Sequence, residues 1–400
     1  MKTIKYGGAV TDLKEEKAII KSIRNSRKTR NWQQGEEGKL FEKELSDYLG
    51  TKYAILTNSG SSAGLLALSA LELPRGSEVI ISAVTFPTIF NIILQCGLTP
   101  VVVDAKIGTY GFDVEDVEKA ITPNTRAIIA IHPLGNPVDM PALMKMVGKY
   151  NRGNYNKIIK KKIYVIEDNC DGFGSAINAK PVGSFGDLSI TSLHAAHIVS
   201  MGVGGCIFTN DREISKRVRM YRDWGRQADI NESKNTKHKA LPKDYNPRFI
   251  YEKIGYNFQI LDLQAAMGRV QLRKIKQIKG ARTRNFNYLY KHLAKYESLL
   301  LPLWYPNADV CWFAFPLSSS DRAKLLPHLE KHGIETRPMF SGDITKHPAY
   351  SKDMYRVSGK LDGASKILTD SFWISCHPSL TKSDLEYIVK IFDDFYARTS

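Results

Sequence analysis

The chain has 400 residues, of which 43% are hydrophobic, and it carries a formal net charge of +16 at pH 7. This length and hydrophobic content predict one large domain and a smaller one. The sequence has no apolar run of the roughly 20 residues that span a bilayer, and no apolar signal segment near its start. Its five cysteines form no C-x-x-C pair, which indicates reduced thiols in a cytoplasmic protein. The basic residues are dispersed without a nucleic-acid motif, so no nucleic-acid partner is expected, and anionic small-molecule substrates fit the charge at least as well.

Five short β-branched runs predict buried strands, namely Ala54–Thr57, Glu78–Ile81, Pro100–Asp104, Ala127–Ile131 and Ile163–Ile166. Amphipathic stretches between them predict helices, among them Ser61–Leu71, Thr88–Cys96 and Val114–Ile121. Strand–helix alternation of this kind predicts an α/β fold with a mostly parallel sheet and helices on both faces. In such a sheet, binding sites tend to lie at the carboxyl ends of the strands.

The second half of the chain has a different organisation. Residues 225–251 are polar and rich in lysine, and they predict a long excursion that packs late or against another subunit. Residues 261–296 have a strongly helical composition and lead the chain into a second region. We therefore expect a large domain over residues 1–275, which includes the N-terminal segment, and a smaller α/β domain over residues 276–400.

Small, aromatic and acidic residues follow three of the predicted strands. Gly60, Ser61 and Ser62 lie in a turn that opens a helix, where backbone N–H groups and hydroxyls can approach a phosphate. Phe86 and Asp168 follow two further strands. Each observation has an ordinary alternative: a Ser- and Gly-rich turn without a ligand, a core phenylalanine, and an aspartate that caps a helix.

Three further motifs complete a pattern. Thr191–His197 precedes a Gly-rich hairpin at 201–205, and Gly255–Asn257 and Asp262–Ala266 follow later in the chain. In order and spacing these motifs resemble the DegT/DnrJ/EryC1/StrS family of sugar aminotransferases, which are vitamin B6 enzymes. The resemblance implies a fold-type I (aspartate aminotransferase-like) architecture and pyridoxal or pyridoxamine 5′-phosphate as the cofactor. It also implies a homodimer in which each active site is completed across the subunit interface.

The resemblance implies a role for each candidate residue. Phe86 would stack on the pyridine ring, and Asp168 would keep the pyridine nitrogen protonated so that the ring accepts electrons. Asn257 would reach the cofactor of the neighbouring subunit. A set of small residues would bind the cofactor phosphate, namely Gly60, Ser61, Ser62 and Ser192.

His197 stands where the family has the lysine that forms a Schiff base with the cofactor. An imidazole, whose ordinary pKa is about 6.5, can move protons but cannot form that covalent link. Two subgroups of the family carry histidine here, and both are 3-dehydratases of nucleotide-linked 4-keto-6-deoxyhexoses that use pyridoxamine phosphate. The resemblance therefore implies a lyase in which His197 is the catalytic base and the C3 hydroxyl is lost. His194 would belong to the cofactor shell.

Further segments favour the subgroup that acts on CDP-linked sugars for the dideoxyhexoses of lipopolysaccharide. They are His132–Pro137, Asp168–Asp171, Arg222–Arg226, Ile254–Asn257 and Glu335–Asp343. Within the last segment, Arg337 is a candidate for pairing with a substrate carboxylate or phosphate. His377 is a second candidate for contact with the sugar.

One feature of that subgroup is missing. The subgroup carries a [2Fe–2S] cluster on cysteines spaced C-x57-C-x-C-x7-C, and such clusters require thiolate ligands. Cys170 matches the first cysteine, but the other places fall on Ala228, Ile230 and His238. We predict that the protein has neither the cluster nor another metal, which leaves a role for a reductase partner in doubt. The subgroup that acts on a GDP sugar re-aminates the cofactor with glutamate, and the same amino donor is expected here.

Several alternatives stay open. A sugar aminotransferase would need another amine in place of the missing lysine, and Lys180 lies far back in sequence. A degenerate homologue would bind a cofactor or a sugar nucleotide without catalysis. His197 would also be unremarkable as an ordinary histidine beside a hairpin, and Val203 stands where both dehydratase subgroups usually have glutamate. The sequence indicates neither the nucleotide nor the hexose.

Overall fold

The computed structural model describes residues 2–153, 162–227, 240–242 and 245–397. The helices are α1 (Leu13–Thr29), α2 (Glu36–Leu49), α3 (Gly60–Leu71), α4 (Pro87–Gln95), α5 (Val114–Ala120), α6 (Met140–Arg152), α7 (Arg212–Arg222), α8 (Asp262–Arg273), α9 (Ile275–Leu293), α10 (Arg322–Lys331), α11 (Asp362–Asp370) and α12 (Lys382–Tyr396). The strands are β1 (Tyr53–Thr57), β2 (Glu78–Ser82), β3 (Thr99–Val103), β4 (Thr125–Ile131), β5 (Tyr164–Asp168), β6 (Ala176–Ile177), β7 (Lys180–Pro181), β8 (Leu188–Ser192), β9 (Gly205–Thr209), β10 (Leu299–Leu300), β11 (Ala308–Asp309), β12 (Phe315–Ser319), β13 (Arg337–Pro338), β14 (Arg356–Val357) and β15 (Ser371–Ile374).

The largest sheet contains eight strands in the order β1-β9-β8-β5-β4-β2-β3-β14. Within it, β9 runs antiparallel to both of its neighbours, and the other neighbouring pairs are parallel. The predicted α/β fold with a mostly parallel sheet is therefore confirmed. Strands β2 and β4 are buried along their whole length, which explains their mostly apolar sequences. The carboxyl ends of the parallel strands lie along one edge, where β9 begins.

Local sequence signals place the helices close to their predicted limits. Ser59 caps α3 through its side chain, and Pro87 occupies the first position of α4, where a missing N–H costs nothing. The helical stretch predicted over 261–296 is confirmed, but a turn at Lys274 divides it into α8 and α9. The ammonium of Lys274 lies 2.6 Å from Glu15 Oε1, so this turn is held against α1.

A second sheet, in the order β10-β12-β15-β13, shares an apolar core with α9, α10 and α12. The start of the chain joins this core, because Ile4 pairs with Ile334. Conversely, Met339 and Ile344 belong to the core of the large sheet, and the short β14 extends that sheet. A division into residues 1–275 and 276–400 therefore remains a proposal, since each core draws residues from both ranges.

The excursion predicted over residues 225–251 is described only at 225–227, 240–242 and 245–251. In its described part, Arg226 pairs with Tyr251 in an isolated bridge, and the Arg226 guanidinium lies 4.7 Å from the centre of the Trp224 ring. Within the ranges that the structure describes, no helix combines the length and apolar character that a membrane crossing requires.

Candidate active site

The candidate site lies at the carboxyl edge of the large sheet. Thr57, Gly205 and Ser192 lie opposite one another across β1, β9 and β8. Asp168 ends the next strand, β5, and Phe86 lies just beyond β2. The parallel arrangement thus brings residues from distant parts of the sequence to one edge, as the fold class predicts.

The turn between β1 and α3 packs tightly against β8 and β9. A Cβ on Gly60 would lie 2.9 Å from Cβ of Ser192, and one on Gly205 would lie 2.4 Å from the carbonyl oxygen of Ser59. These close approaches require glycine at both positions. The N–H groups of Gly60 and Ser61 precede the first hydrogen bond of α3, so they have no helical acceptor and can bind an anion.

Hydroxyl groups lie beside these N–H groups. Ser61 Oγ is 3.1 Å from Thr88 Oγ1, and Ser62 Oγ is 2.9 Å from Ser59 Oγ. The structure therefore brings together the four residues of the phosphate prediction, namely Gly60, Ser61, Ser62 and Ser192. Their binding of a phosphate stays a prediction.

Asp168 is a buried carboxylate, with 7% of its surface exposed. Burial raises the pKa of its carboxyl group above the ordinary value, and a hydrogen bond donated by the Cys170 N–H at 3.1 Å acts in the opposite direction. The nearby charge of Asp171 raises this pKa further. Burial and the adjacent Asp168 also raise the pKa of the Cys170 thiol well above its usual range, which favours the neutral thiol.

Phe86 is the N-cap residue of α4, and 59% of its surface is exposed. The alternative of an ordinary core phenylalanine is therefore wrong. An aromatic ring left open to solvent at the edge where binding sites form is available to cover a planar ligand.

His197 lies in the loop between β8 and β9. Hydrogen bonds from Ala195 N–H to Gly202 O (2.9 Å) and from His197 N–H to His194 O (3.0 Å) fix the backbone of this loop. His197 Nδ1 lies 3.1 Å from Asp171 Oδ1, and 19% of the His197 side chain is exposed. Within the described ranges, Nδ1 has no hydrogen-bond partner. The Asp171 carboxylate is near enough for an ion pair, but the two groups are not aligned for a hydrogen bond.

Two neighbours of the His197 ring, Asp171 and Phe313, are not among the site residues predicted from the sequence. The centre of the Phe313 ring lies 5.4 Å from that of His197, compared with 6.4 Å for the ring of His194. Asp171 carried a signal, since it follows a strand end three residues after Asp168. Phe313 carried none, because only the folding of the chain brings it to the loop.

A row of aromatic rings connects His197 with Arg337. Ring centres are separated by 5.7 Å between Phe313 and Trp373, and by 5.7 Å between Trp373 and Tyr6. The Arg337 guanidinium lies 4.2 Å from the centre of the Tyr6 ring, and 41% of its side chain is exposed. This arrangement leaves Arg337 accessible at the far end of the row, and its contact with substrate stays a prediction.

His377 is buried, and both of its ring nitrogens are engaged. Nε2 lies 2.9 Å from the carbonyl oxygen of Gly8, and Nδ1 lies 2.7 Å from Ser379 Oγ. Burial lowers the pKa of this imidazole, with a smaller contribution from the positive charge of Arg282. These contacts favour a role in anchoring the N-terminal segment, and contact with the sugar remains an untested prediction.

Asn257 is exposed and pairs with Asp223 in an isolated bridge. Its predicted contact with the cofactor of a neighbouring subunit is consistent with this exposure and stays a prediction. Of the four positions in the cluster motif, Cys170 is described, whereas Ala228, Ile230 and His238 lie outside the described residues. The described ranges contain no group of His, Cys, Asp and Glu side chains suited to a metal ion. The absence of a cluster remains a prediction.

The residues present fit pyridoxal or pyridoxamine 5′-phosphate. The turn at the start of α3 suits the phosphate, because the N–H groups of Gly60 and Ser61 have no helical acceptor there. The exposed ring of Phe86 suits the pyridine face, and the buried carboxylate of Asp168 suits a protonated ring nitrogen. At the same edge, the buried Nδ1 atom of His197 has no hydrogen-bond partner among the described residues, as is common for polar groups of a functional site.

Known proteins are similar to this chain over nearly its whole length. It is 35% identical to dTDP-4-dehydro-2,6-dideoxy-D-glucose 3-dehydratase of Saccharopolyspora spinosa, across 99% of this chain and 87% of that protein. It is 36% identical to the lipopolysaccharide biosynthesis protein RfbH of Salmonella typhimurium, across 89% of this chain and 84% of that protein.

The fold is similar to the crystal structure of GDP-4-keto-6-deoxymannose-3-dehydratase with a trapped PLP-glutamate geminal diamine. The TM-score is 0.87 at 26% identity, across 97% of this chain and 100% of that chain. This similarity confirms the predicted fold-type I architecture. The model of the DegT/DnrJ/EryC1/StrS aminotransferase family matches residues 13–393. The chain belongs to the DegT/DnrJ/EryC1/StrS aminotransferase family.

Proposed function

We propose that this protein is a nucleotide-sugar 3-dehydratase. Its cofactor would be pyridoxamine 5′-phosphate, and His197 would be its catalytic base. Its substrate would be a nucleotide-linked 4-keto-6-deoxyhexose of dideoxysugar biosynthesis. One observation carries the proposal: a histidine, and not a lysine, occupies the loop after β8, beside Asp171 and at the edge that holds Asp168 and Ser192.

The named relatives support this reaction class. The Saccharopolyspora protein and the structural relative are both called 3-dehydratases, and the Salmonella protein is named for lipopolysaccharide biosynthesis. Aminotransferases also occur among the relatives, such as GDP-perosamine synthase of Caulobacter vibrioides. The 3-dehydratase names refer to dTDP and GDP sugars, so the nucleotide used here is left to experiment.

Each residue of the site has a defined task in the proposed reaction. The N–H groups at the start of α3 and the Ser192 hydroxyl hold the cofactor phosphate, and Phe86 covers the ring. Asp168 holds a proton on the ring nitrogen, although its burial opposes the charge that this task requires. When bound, pyridoxamine phosphate supplies the amine that engages the C4 ketone and a ring that accepts electrons.

His197 moves the proton. Its Nδ1 atom faces Asp171, so Nε2 is the nitrogen that can take a proton from the C4′ carbon of the cofactor. Phe313 packs against the same imidazole and excludes water from one side of it. His197 would then pass this proton to the departing C3 hydroxyl of the sugar, which leaves as water.

We propose glutamate as the amino donor and a cycle without an iron–sulfur cluster. The structural relative was trapped with a PLP-glutamate geminal diamine, which supports glutamate in this fold. Cys170 offers a single thiol where the cluster motif needs four, and burial beside Asp168 favours its neutral form. A cycle that is closed by glutamate would need no reductase partner.

The aminotransferase alternative would need an amine in place of the missing lysine, and Lys180 is the candidate that the sequence offers. Lys180 lies on β7 in a separate three-stranded sheet, and its ammonium lies 4.3 Å from the centre of the Phe185 ring. This placement gives Lys180 an interaction of its own and does not favour it as a substitute for the missing lysine.

Mass spectrometry of the sugar product tests the proposal. Purified protein would be incubated with pyridoxamine phosphate, glutamate and CDP-, GDP- and dTDP-linked 4-keto-6-deoxyhexoses, without a reductase. We expect a product that lacks the C3 oxygen from one of these substrates. An aminosugar that keeps this oxygen would show an aminotransferase, and iron and sulfide in stoichiometric amounts after anaerobic purification would contradict the cluster-free cycle.

A further inference from the structure

We propose that Asp171 is a positioning residue that fixes the tautomer of His197 and thereby determines which ring nitrogen moves the proton. This inference rests on the proposed function, in which His197 is the base. It concerns a residue outside the set that the sequence predicts for the site.

The two carboxylate oxygens of Asp171 face different donors. Oδ2 accepts the backbone N–H of Leu134 at 3.3 Å, and Oδ1 lies 3.1 Å from Nδ1 of His197. Asp171 is buried, with 7% of its surface exposed, so water screens this contact only weakly. Catalytic hydrogen bonds often align only when the site is filled. We therefore expect His197 Nδ1 and Asp171 Oδ1 to form a hydrogen bond when the cofactor is bound.

Leu134 holds the Asp171 carboxylate in place. Its φ angle of 50° is in the left-handed region, which a leucine rarely adopts and which costs free energy. In this conformation the Leu134 N–H points to Asp171, and the Leu134 carbonyl accepts the N–H of Phe313 at 2.9 Å. One strained residue therefore hydrogen-bonds to both neighbours of the His197 ring, at the carboxylate of Asp171 and at the backbone N–H of Phe313. Strain of this kind is typical of positions where geometry serves function.

The chemical consequence follows from the acceptor at Nδ1. A carboxylate there favours the neutral imidazole that carries its proton on Nδ1, because this tautomer donates to the carboxylate. The lone pair then lies on Nε2, where a proton can be accepted. His194 does not compete for this role, since its ring centre is 6.4 Å from that of His197 and its Nδ1 accepts the N–H of Ala196 at 3.3 Å.

The variant Asp171→Asn separates the two contacts. Asparagine has one acceptor oxygen, so it can satisfy the Leu134 N–H or the His197 ring but not both. We expect the oxygen to remain with Leu134, whose backbone position is fixed, and the amide NH₂ group to face Nδ1. The imidazole proton then moves to Nε2, and kcat falls by roughly 10³- to 10⁴-fold, as for other catalytic histidines that lose an aspartate partner. KM and cofactor affinity should change by less than about threefold.

Nitrogen-15 NMR of histidine-labelled protein saturated with pyridoxamine 5′-phosphate reports the tautomer in the filled site directly. The His197 signal is the one that disappears in His197→Asn. We expect the proton on Nδ1 in the wild-type protein and on Nε2 in Asp171→Asn. The matched control is Asp187→Asn, because the Asp187 carboxylate also accepts a backbone N–H, that of Val165 at 2.9 Å. This control should keep the wild-type tautomer and kcat.

Two results would overturn the proposal. The first is a wild-type His197 with its proton on Nε2, a measurement that requires no variant to fold. The second is a folded Asp171→Asn protein whose kcat stays within about threefold of the wild-type value. If His197→Asn itself turns over at the wild-type rate, the role of His197 as base fails instead, and the NMR result then describes a structural contact only.

Discussion

Two carboxylates three positions apart set the electrostatics around the end of β5. Asp168 and Asp171 are each 7% exposed, and the charge of Asp171 contributes to the raised pKa of Asp168. The charge of Asp171 and burial both disfavour the charged form of the Asp168 carboxyl group, so a charged Asp168 lowers the stability of the folded protein. Such costs are characteristic of functional sites, where they persist because the charges serve the reaction.

Replacement of Asp168 should therefore stabilise the cofactor-free protein while impairing catalysis. In Asp168→Asn we expect the free energy of unfolding at pH 7 to rise by about 0.5–2 kcal/mol, because a buried charge is removed. Since burial raises the folded-state pKa of Asp168, the wild-type penalty is fully present above that pKa. The penalty disappears as pH falls through that value toward the ordinary pKa of 3.8.

Urea unfolding of both proteins between pH 4 and pH 7 measures this difference. The advantage of Asp168→Asn should shrink as the pH is lowered, and dehydration by the variant should be at least about 100-fold slower. A variant that is less stable than the wild type at pH 7 would contradict the prediction, because it would mean that the carboxylate is favourable in the folded protein.

The variant His197→Asn should lose elimination and keep the cofactor. Asparagine retains a polar side chain of similar size but cannot accept a proton, so kcat should fall at least about 100-fold. Pyridoxamine phosphate affinity, measured by fluorescence titration, should stay within about threefold. The control His292→Asn changes a histidine whose ring stacks on Tyr288 at 4.1 Å on α9, and it should turn over normally. Dehydration by His197→Asn at the parent rate would show that His197 is not the base.

At the scale of secondary-structure elements, the site depends on how closely α3 approaches β8 and β9. Glycines at positions 60 and 205 permit this approach, and Ser59 caps the helix by accepting the N–H of Ser62. The helix N-terminus and the end of β8 thus form one surface for an anion. A small change in side-chain volume at this junction should alter ligand binding more than it alters the fold.

The variant Gly60→Ala tests this junction. Its Cβ would lie 2.9 Å from Ser192 Cβ, so α3 and β8 must separate. We expect a loss of about 1–3 kcal/mol in the free energy of unfolding and at least a tenfold weaker affinity for pyridoxamine phosphate. The control Gly280→Ala lies on α9, where a Cβ meets nothing within 4 Å, and it should gain about 0.5–1 kcal/mol through helix propensity. Equal affinities of Gly60→Ala and the wild-type protein would rule out a phosphate at this turn.

The sequence predicts those elements whose signals are local. Continuous apolar runs identify the buried parallel strands, and the Ser- and Gly-rich turn identifies the start of α3, because each signal lies within a few residues. Strand β14 was not predicted, since two residues carry no periodicity. The division of the helix at Lys274 was not predicted either, because it accompanies an ion pair with the distant Glu15.

The candidate site is predictable to the extent that it lies on strand ends. Asp168, Ser192 and His197 follow strands, so the fold class alone places them at one edge. The contacts of His197 with Asp171 and Phe313 depend on tertiary packing. Of these two residues only Asp171, three positions after Asp168 at a strand end, carries a signal in the sequence. For the same reason, the engagement of both nitrogens of His377 became visible only in the structure.

At the scale of the whole molecule, backbone hydrogen bonds hold the segment that carries Asn257 on both sides, one of them to the turn that precedes α3. The Asn58 N–H, just before α3, donates to the Phe258 carbonyl at 3.0 Å, and the Trp224 N–H donates to the Tyr256 carbonyl at 2.7 Å. Asn257 lies between these anchors with its side chain exposed. A segment fixed on both sides of an exposed amide is well suited to present that amide to a second subunit.

Mixed dimers should therefore show whether Asn257 completes the partner's site. We expect the homodimers of His197→Asn and of Asn257→Ala to be nearly inactive for different reasons, since one lacks the base and the other lacks the contact from across the interface.

If the two variants carry different affinity tags, dimers that bear both tags can be isolated after co-expression. In each such dimer, the site built on the Asn257→Ala subunit keeps its own His197 and receives Asn257 from the other subunit. These dimers should recover about half of the wild-type kcat per dimer, because one of their two sites is intact. Mixed dimers no more active than their parents would show that Asn257 serves its own subunit, and a failure to isolate them would contradict the proposed homodimer.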